Sequence, residues 1–426
     1  MDKRNEKKNP EVRFKGFTED WEYTPLGMLA DLQNGYAFKS KFFQDLKSNL
    51  ILLTPGNINI GGGFQYGKGH FYDALGEVPD RFIFKPEDIF LTMTDLTPTA
   101  QTLGFPALIP NDKNTYLHNQ RLGKLINYDV DKNFLFQLLC TPKFQKQIVL
   151  TSSGTTVKHT SPNKILTTNI NFPKDKTEQK QIGSFFQNLD NLITLHQKKY
   201  DKLIILKKAM LVKMFPKNGA VVPEIRFKGF TEDWEEKRLG EIGQTYTGLS
   251  GKTKVDFGHG KGRFVTYMNV FNNPISNLKI TDVIEIDNSQ NEVNYGDVFF
   301  TTSSETPEEV GMSSVWLSNE KNIYLNSFCF GYRLSEKIDS YFLSNLLRST
   351  NFRTKISFLA QGISRYNISK NRVMEILIEI PSYNEQIKIG EYFKNLNSQI
   401  ALHQTQLKKL KNIKKACFSK MFVAQD

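Results

Sequence analysis

Residues 178–203, EQKQIGSFFQNLDNLITLHQKKYDKL, decide the architecture, because residues 385–410, EQIKIGEYFKNLNSQIALHQTQLKKL, repeat them with half of the positions identical. A second repeated segment precedes each of them. It reads PEVRFKGFTEDWE at residues 10–22 and PEIRFKGFTEDWE at residues 223–235. Self-similarity at a long spacing indicates a duplicated structural unit. The segments between these repeats, which we call the middles, have dissimilar sequences in the two halves. The repeated segments therefore form a common frame around two different middles.

Apolar residues in the 178–203 repeat and its copy alternate at spacings of four and three, which is typical of a coiled-coil seam. We predict two long helices of about 38 residues, each about 57 Å long, which pair antiparallel with pseudo-two-fold symmetry. Such pairing predicts a contact between His196 and His403, because both lie near the middle of their helices. The seam positions are Ile182, Phe186, Leu189, Ile193, His196 and Leu203, then Ile389, Phe393, Leu396, Ile400, His403 and Leu410.

The two middles contain short β-type runs separated by Gly, Asn and Pro, such as FIFKPEDIFLTMT at 82–94 and GDVFFTTSS at 296–304. These runs predict curved antiparallel sheet. Each middle continues with a helical patch, at 134–148 or 341–356. A polar, Gly-opened loop closes each middle: GTTVKHTSPNKI from Gly154, and GISRYNISKNRV from Gly362. The predicted class is α+β, with two heads that are each followed by a long helix.

The expected domain order follows from these segments. It is a basic N-terminal tail at 1–9, a first head at 10–177, a first coiled-coil helix at 178–215, a linker at 216–222, a second head at 223–384, a second coiled-coil helix at 385–422 and a C-terminal tail at 423–426.

Composition favours a globular protein with a polyanionic partner. The 426 residues include 56 Lys and Arg against 44 Asp and Glu, a net charge of +12, and are 39% hydrophobic. That content is too apolar for a disordered chain. No run approaches the 18 apolar residues of a membrane span, and three widely separated cysteines suit a reducing compartment. We therefore expect a cytoplasmic protein that does not enter a membrane.

Motifs for catalysis or cofactor binding are incomplete in this sequence. Gly251-Lys252-Thr253 spells the end of a phosphate-binding loop, but Tyr246 occupies the position that needs its first glycine. The chain has no Pro-Pro for the strand end of an amino-methyltransferase, and its six histidines lack metal-ligand spacing. We expect no catalytic residue, no metal site and no cofactor in this chain.

The ordered set of repeated features resembles the specificity subunit of type I restriction-modification systems over nearly the whole chain. The features are the two PE(V/I)RFKGFTEDWE openings, the loop segments ending at Pro173 and Pro381, the EQ-starting helices at Glu178 and Glu385, and the basic helix ends. Each feature alone is weakly specific, whereas the duplicated set in order is specific.

The resemblance implies a non-catalytic DNA specificity subunit. Each head would be a target recognition domain that reads one half of a bipartite, asymmetric site in double-stranded DNA. The helices would form an antiparallel coiled coil that holds the heads apart and docks adenine methyltransferase subunits, two of which are expected. Motor-nuclease subunits would join the full complex, and the partners would use S-adenosylmethionine, ATP and Mg.

Candidate DNA-binding residues lie in the closing loops and in a Gly-rich basic stretch of the second middle. Arginine suits bidentate reading of guanine, lysine suits phosphate, and tyrosine can stack or bond to phosphate. The candidates are Lys158, His159 and Lys164 in the first head, and Arg365, Tyr366, Lys370, Arg372, Lys252, Lys254, Lys261 and Arg263 in the second.

A different class of function is also compatible with this sequence. Two β-rich heads on paired helices could form a non-catalytic interaction protein that binds DNA or another polyanion without reading sequence. Such a protein would show weak, strongly salt-dependent DNA binding and would have no methyltransferase partner.

Overall fold

A computed structural model of the chain describes residues 8–97, 99–217 and 219–423. The chain divides into two compact units, which are Met1–Leu195 with Gln406–Asp426, and His196–Thr405. Of the predicted tails and linker, residues 1–7, 218 and 424–426 lie outside the described residues.

The first unit contains a β-rich head, three short helices and parts of both long helices. Its strands are β1 (Glu22–Pro25), β2 (Asp31–Asn34), β3 (Phe43–Gln44), β4 (Leu50–Leu52), β5 (His70–Tyr72), β6 (Ile89–Thr92), β7 (Thr94–Asp95), β8 (Pro106–Leu108), β9 (Thr115–Leu117), β10 (Leu122–Ile126), β11 (Lys158–His159) and β12 (Asn169–Phe172). Its helices are α1 (Lys132–Leu139), α2 (Pro142–Thr151), α3 (Pro162–Leu166) and the start of α4 (Lys176–Lys213).

The second unit repeats this plan and begins within α4. Its strands are β13 (Glu235–Arg238), β14 (Gly243–Thr247), β15 (Phe257–Val265), β16 (Ile275–Ser276), β17 (Thr281–Ile284), β18 (Val298–Thr301), β19 (Ser303–Ser304), β20 (Ser313–Trp316), β21 (Ile323–Leu325), β22 (Cys329–Leu334), β23 (Tyr366–Asn367) and β24 (Leu377–Ile380). Its helices are α5 (Tyr267–Asn272), α6 (Ser340–Leu346), α7 (Thr350–Ser357), α8 (Lys370–Met374) and the start of α9 (Tyr383–Met421).

The sheets of the two heads correspond in their connections. The first head has the orders β2-β10-β6-β8 and β3-β5-β4-β9, and the second has β14-β22-β18-β20-β16 and β17-β15-β21. The expectation of antiparallel sheet is wrong at three pairs, because β4–β9, β15–β21 and β16–β20 are parallel. Long excursions separate the strands of these pairs in the chain, and such crossovers allow parallel pairing.

The two long helices run antiparallel, because in each unit the start of one packs against the end of the other. In the first unit, the ring of Phe186 on α4 stacks on that of Phe418 on α9, with centroids 4.5 Å apart. In the second unit, Phe393 on α9 stacks on Phe215, which follows α4, with centroids 5.9 Å apart.

The predicted seam residues differ in burial along the helices. Those nearest the helix starts are buried between the head and the other helix, whereas those farther along are half-buried. The buried positions are Ile182, Phe186, Leu189, Ile389, Phe393 and Leu396, and the half-buried ones are Ile193, His196, Leu203, Ile400, His403 and Leu410.

The histidine contact predicted for the seam is present in the second unit. Nδ1 of His196 lies 2.8 Å from Nδ1 of His403, so one ring donates a hydrogen bond and the other accepts it. Partial burial and the neighbouring His196 hold the pKa of His403 below its ordinary value. When both rings are neutral, the hydrogen bond needs Nδ1–H on one ring and Nε2–H on the other, so the two equivalent positions of the repeat differ in tautomer.

A buried carboxylate at the start of each long helix binds the repeated opening segment. Glu178 is fully buried and accepts from Nε of Arg13 at 2.6 Å and from a terminal guanidinium nitrogen at 2.7 Å. Glu385 is also fully buried, and Arg226 donates to it in the same bidentate way at 2.7 and 2.8 Å. These pairs explain why the sequences EQ and RFKGF are repeated together.

The glutamine and the glycine that follow in α4 hold the first short helix of the head close to α4. The side chain of Gln179 donates to the carbonyl of Pro173 and accepts from the amide of Asp131, both at 2.7 Å. Asp131 in turn caps α1 at Phe134. A Cβ at Gly183 would lie 2.5 Å from the Phe134 nitrogen, so a larger residue there would push α1 away.

The same arrangement occurs at the start of α9. Gln386 donates to the carbonyl of Pro381 at 2.9 Å and accepts from the amide of Asp339 at 3.0 Å. Asp339 caps α6 at Phe342, and a Cβ at Gly390 would lie 2.2 Å from the Asp339 carboxylate. The EQ-x-x-I-G sequence therefore joins opening segment, head and long helix in both halves.

Replacing Arg226 by Met should destabilise the second unit by about 3–5 kcal/mol, because it leaves the buried Glu385 carboxylate without its partner. The measurement is urea unfolding of the full chain, with Lys228→Met as the matched control because Lys228 is an exposed cation of the same segment. A double variant, Arg226→Met with Glu385→Leu, should recover part of the loss. Equal stability of the Arg226→Met and Lys228→Met variants would show that the pair does not hold the unit together.

Candidate nucleic-acid interface

The closing loop of the first head forms a small β-finger, residues 153–159, which we call the first finger. At its base, Ser153 and His159 exchange backbone hydrogen bonds of 2.8 and 2.9 Å. Gly154 has a φ of +95°, and a Cβ there would lie 2.0 Å from the carbonyl oxygen of Val157. Only glycine allows this tight return of the chain.

The closing loop of the second head forms an equivalent second finger, residues 361–367. Gln361 and Asn367 exchange backbone hydrogen bonds of 2.8 and 2.9 Å at its base. Gly362 has a φ of +140°, and a Cβ there would lie 2.0 Å from the carbonyl oxygen of Arg365. The two fingers therefore share a backbone design although their other residues differ.

Each finger is anchored to its head by a two-stranded ladder and a short helix. Strand β11 pairs with β7, and β23 pairs with β19. Helices α3 and α8 follow directly, and the hydroxyl of Ser161 caps α3 by accepting from the amide of Lys164. The fingers are thus fixed at their bases and exposed at their tips.

The predicted residues of the first head lie on its finger and on α3. Lys158 is half-buried, and its Nζ donates to the carbonyl of Gly154 at 2.7 Å. His159 is exposed, with Nδ1 3.2 Å from the hydroxyl of Thr94. Lys164 is half-buried on α3. The finger tip itself presents Thr155 and Thr156.

The predicted residues of the second closing loop lie together on the second finger and α8. Arg365 is exposed near the finger tip, beside Ile363, which is 96% exposed. Tyr366 is half-buried on β23, and Lys370 and Arg372 are exposed on α8. The second finger thus combines a guanidinium with an uncovered aliphatic side chain.

The Gly-rich basic stretch lies on a different sheet from the second finger. Lys252 forms an ion pair with Asp287 at 2.7 Å, which raises the pKa of Lys252 and lowers that of Asp287. Arg263 donates to the hydroxyl and carbonyl of Thr281 at 2.6 and 2.9 Å. Lys254 and Lys261 are exposed. Two of the four candidates in this stretch are therefore already bound by the protein.

A buried carboxylate that sequence reasoning missed orders the segment beside the first finger. Asp95 accepts from the amides and hydroxyls of both Thr97 and Thr102 at 2.5–2.7 Å. Burial raises its pKa, but these hydrogen bonds outweigh the burial, so the net effect lowers the pKa. The Asp-x-Thr sequence is a local signal for such a turn.

The equivalent segment of the second head, after β19, carries exposed acidic side chains. They are Glu305, Glu308 and Glu309. The half-buried guanidinium of Arg353 fixes this segment by donating to the carbonyls of Glu308, Val310 and Gly311 at 2.6–2.8 Å. The two fingers are therefore flanked by chemically different segments, one rich in hydroxyls and one acidic.

The family model described as type I restriction modification DNA specificity domain matches residues 18–204 and 231–412. The chain belongs to this family. The two matches fall on the two halves of the repeat, and each includes a finger and most of the long helix that follows it. The type I restriction-modification DNA specificity domain is thus present twice.

Relatives and a solved structure agree with this family. The chain is 27% identical over 62% of its length to the type I restriction enzyme MjaVIII specificity subunit of Methanocaldococcus jannaschii, of which it spans 63%. It is 26% identical over 41% of its length to the EcoBI specificity subunit of Escherichia coli, of which it spans 33%. It thus spans less than two thirds of these relatives.

The fold matches the crystal structure of a type I restriction-modification S subunit from M. genitalium. The TM-score is 0.59 at 15% identity, with 98% of this chain and 100% of that chain covered. At this identity the match supports the shared fold. In the part of the chain that the structure describes, no helix is long and apolar enough to span a membrane, and no three His, Cys, Asp or Glu side chains are grouped to hold a metal ion.

Replacing Gly362 by Ala should weaken specific DNA binding about tenfold, because the added Cβ cannot coexist with the Arg365 carbonyl and displaces the finger tip. The measurement is a binding titration with cognate DNA at fixed salt. Gly296→Ala is the matched control, since Gly296 also has a positive φ but a Cβ there meets nothing within 4 Å. Equal weakening by both variants would contradict a role for the second finger.

Proposed function

We propose that this chain is the DNA specificity subunit of a type I restriction-modification complex, in which each head reads one half of a bipartite, asymmetric site. The supporting observation is the pair of fingers with one backbone design and different tips. A fixed frame with variable exposed residues is what two independent readers of different sequences require.

The chemistry of the finger surfaces suits two unlike half-sites. The first finger presents the hydroxyls of Thr155 and Thr156, which can bond to either a donor or an acceptor on a base edge. The second presents Arg365, which fits the two acceptors of guanine, next to Ile363. Because the two readers differ, the site should not be palindromic.

The phosphate contacts would come from exposed cations of the second head. Lys370 and Arg372 on α8, and Lys254 and Lys261 in the Gly-rich stretch, are exposed and available to anions. Lysine contacts to phosphate position a protein on DNA without adding sequence preference. The net charge of +12 supports this electrostatic contribution.

The long helices would dock two adenine methyltransferase subunits through apolar side chains outside the seam. Leu195 and Leu402 are equivalent in the repeat and both exposed, as are Leu206 and Ile413. Exposed apolar side chains at equivalent positions of both helices suit two copies of the same partner. Motor-nuclease subunits would join the complex through the assembled methyltransferase.

The reaction chemistry would belong to these partners. In this proposal the chain is not catalytic and binds no cofactor, while the partners supply S-adenosylmethionine, ATP and Mg. The complex would act on chromosomal or incoming DNA in the cytoplasm. The chain would contribute the choice of sequence.

Replacing Arg365 by Ala should relax only the second half of the recognised site. The measurement is co-purification with the adenine methyltransferase of the same system, followed by single-molecule mapping of methylated adenines. Loss of one base preference by about tenfold at one position is expected. Lys321→Ala, which removes an exposed cation elsewhere in the second head, is the control.

Two outcomes of this mapping would contradict the proposal. Relaxation spread equally over both halves would show that Arg365 does not serve one half-site. A chain that forms no methyltransferase complex and binds DNA without sequence preference would support the polyanion-binding alternative.

Replacing both Leu195 and Leu402 by Glu should abolish co-elution with the methyltransferase while leaving DNA binding by the chain within about twofold, because charges at exposed positions rarely affect folding. Size-exclusion chromatography of the mixture measures the first effect. Leu75→Glu, at an exposed position of the first head outside the candidate DNA-binding segments, is the control. Unchanged co-elution of the double variant would exclude this surface as the docking site.

A further inference from the structure

A tight turn beside the first finger presents Arg121 to solvent. The side-chain oxygen of Asn119 accepts from the amide of Arg121 at 2.9 Å, and the Asn119 carbonyl accepts from the amide of Leu122 at 3.0 Å. We call residues 119–121 the first Asn-turn. This self-bonded turn fixes its backbone independently of the exposed side chains.

The first Asn-turn is held from two sides. A Cβ at Gly35 would lie 2.1 Å from the Asn119 carbonyl oxygen, so this glycine allows the preceding strand to approach closely. On the other side, the carbonyl of Arg121 accepts from the amide of Met93 at 2.9 Å. The carbonyl of Met93 accepts from the amide of Thr160, which follows the first finger, also at 2.9 Å. The turn and finger therefore flank one backbone segment.

The second head contains the same construction at residues 326–328, the second Asn-turn. The side-chain oxygen of Asn326 accepts from the amide of Phe328 at 2.9 Å, and a Cβ at Gly248 would lie 2.1 Å from the Asn326 carbonyl oxygen. The carbonyl of Phe328 accepts from the amide of Thr302 at 3.0 Å. The carbonyl of Thr302 accepts from the amide of Ile368, directly after the second finger.

Equivalent backbones thus present different side chains. Phe328 is 60% exposed on a fixed turn, whereas most aromatic side chains of this head are buried or half-buried. Arg121 is exposed, and within the described residues no hydrogen bond, ion pair or ring contact of its guanidinium is found. The Asn-turn thus presents an exposed Phe in one head and, in the other, an exposed Arg whose guanidinium has no contact within the described residues. Such side chains on a fixed backbone are suited to contacting an external partner.

We propose that Arg121 and Phe328 occupy equivalent base-reading positions beside the fingers. Arg121 donates to the two major-groove acceptors of a guanine in the first half-site. Phe328 packs against the methyl group of a thymine in the second half-site. These pairings are the ones that guanidinium and apolar side chains make with base edges. The inference rests on the proposed function and adds one residue to each reader.

Methylated-adenine mapping with single variants tests the inference. Arg121→Ala should reduce the preference for guanine at one position of the first half about tenfold and leave the second half unchanged. Phe328→Ala should do the same for thymine in the second half only. Arg121→Lys keeps the positive charge but loses the bidentate geometry, so it should behave like Arg121→Ala.

Matched controls remove exposed side chains elsewhere in the same heads. Lys113→Ala removes one positive charge from the turn before β9, and Tyr295→Ala removes an exposed aromatic ring from the turn before β18. Neither should change the methylated motif. Circular dichroism and thermal unfolding of each variant establish that the variants are folded.

The outcomes separate the inference from the proposed function. A bipartite motif in the unaltered chain that does not change in Arg121→Ala and Phe328→Ala would overturn only the inference. Uniformly weaker methylation in Arg121→Ala, rescued by Arg121→Lys, would show a phosphate contact and also overturn it. The absence of any chain-dependent motif would overturn the proposed function itself.

Discussion

A buried carboxylate at the start of each long helix is the interaction on which each half depends. Glu178 and Glu385 are fully buried, and each is bound by two nitrogens of one arginine from the repeated opening segment. A buried charge without a partner is strongly destabilising, so neither the arginine nor the glutamate can change alone. The pair fixes the opening segment, and therefore the first strand of each head, against the helix.

The frame around this pair permits variation where the heads are exposed. The Gln that follows the glutamate accepts from the residue that caps α1 or α6, and the Gly lets that helix approach closely. In the fingers and Asn-turns, glycines likewise allow two backbone segments to approach closely. None of these contacts uses the side chains at the finger tips. Thr155 and Thr156 in one head can therefore be Ile363 and Ser364 in the other without disturbing the fold.

Much of the frame could be predicted from the sequence, because its signals are local and repeated. The four-three spacing predicts the long helices, and the mid-helix positions of His196 and His403 predict their contact. The Gly-opened loops predict polar turns at 154 and 362. By contrast, the parallel pairing of β4 with β9 joins segments far apart in the chain and has no local signal.

The site could be predicted only in part, because side-chain availability depends on tertiary neighbours. Lys252 and Arg263 look like free cations in sequence, yet Asp287 and Thr281 bind them. The sequence does not single out Arg121, because the proposal for Arg121 rests on the backbone hydrogen bond between Arg121 and Met93 and on the structural equivalence of Arg121 and Phe328. That equivalence is visible only when the two heads are compared in three dimensions.

The most direct test of independent reading by the two heads is exchange of residues 24–172 for the corresponding segment of another family member, followed by mapping of methylated adenines. The frame contacts of Arg13 and Glu178 stay intact in this exchange. The account predicts that one half of the methylated motif changes to that of the donor while the other half is retained. A motif that changes in both halves, or in neither, would contradict it.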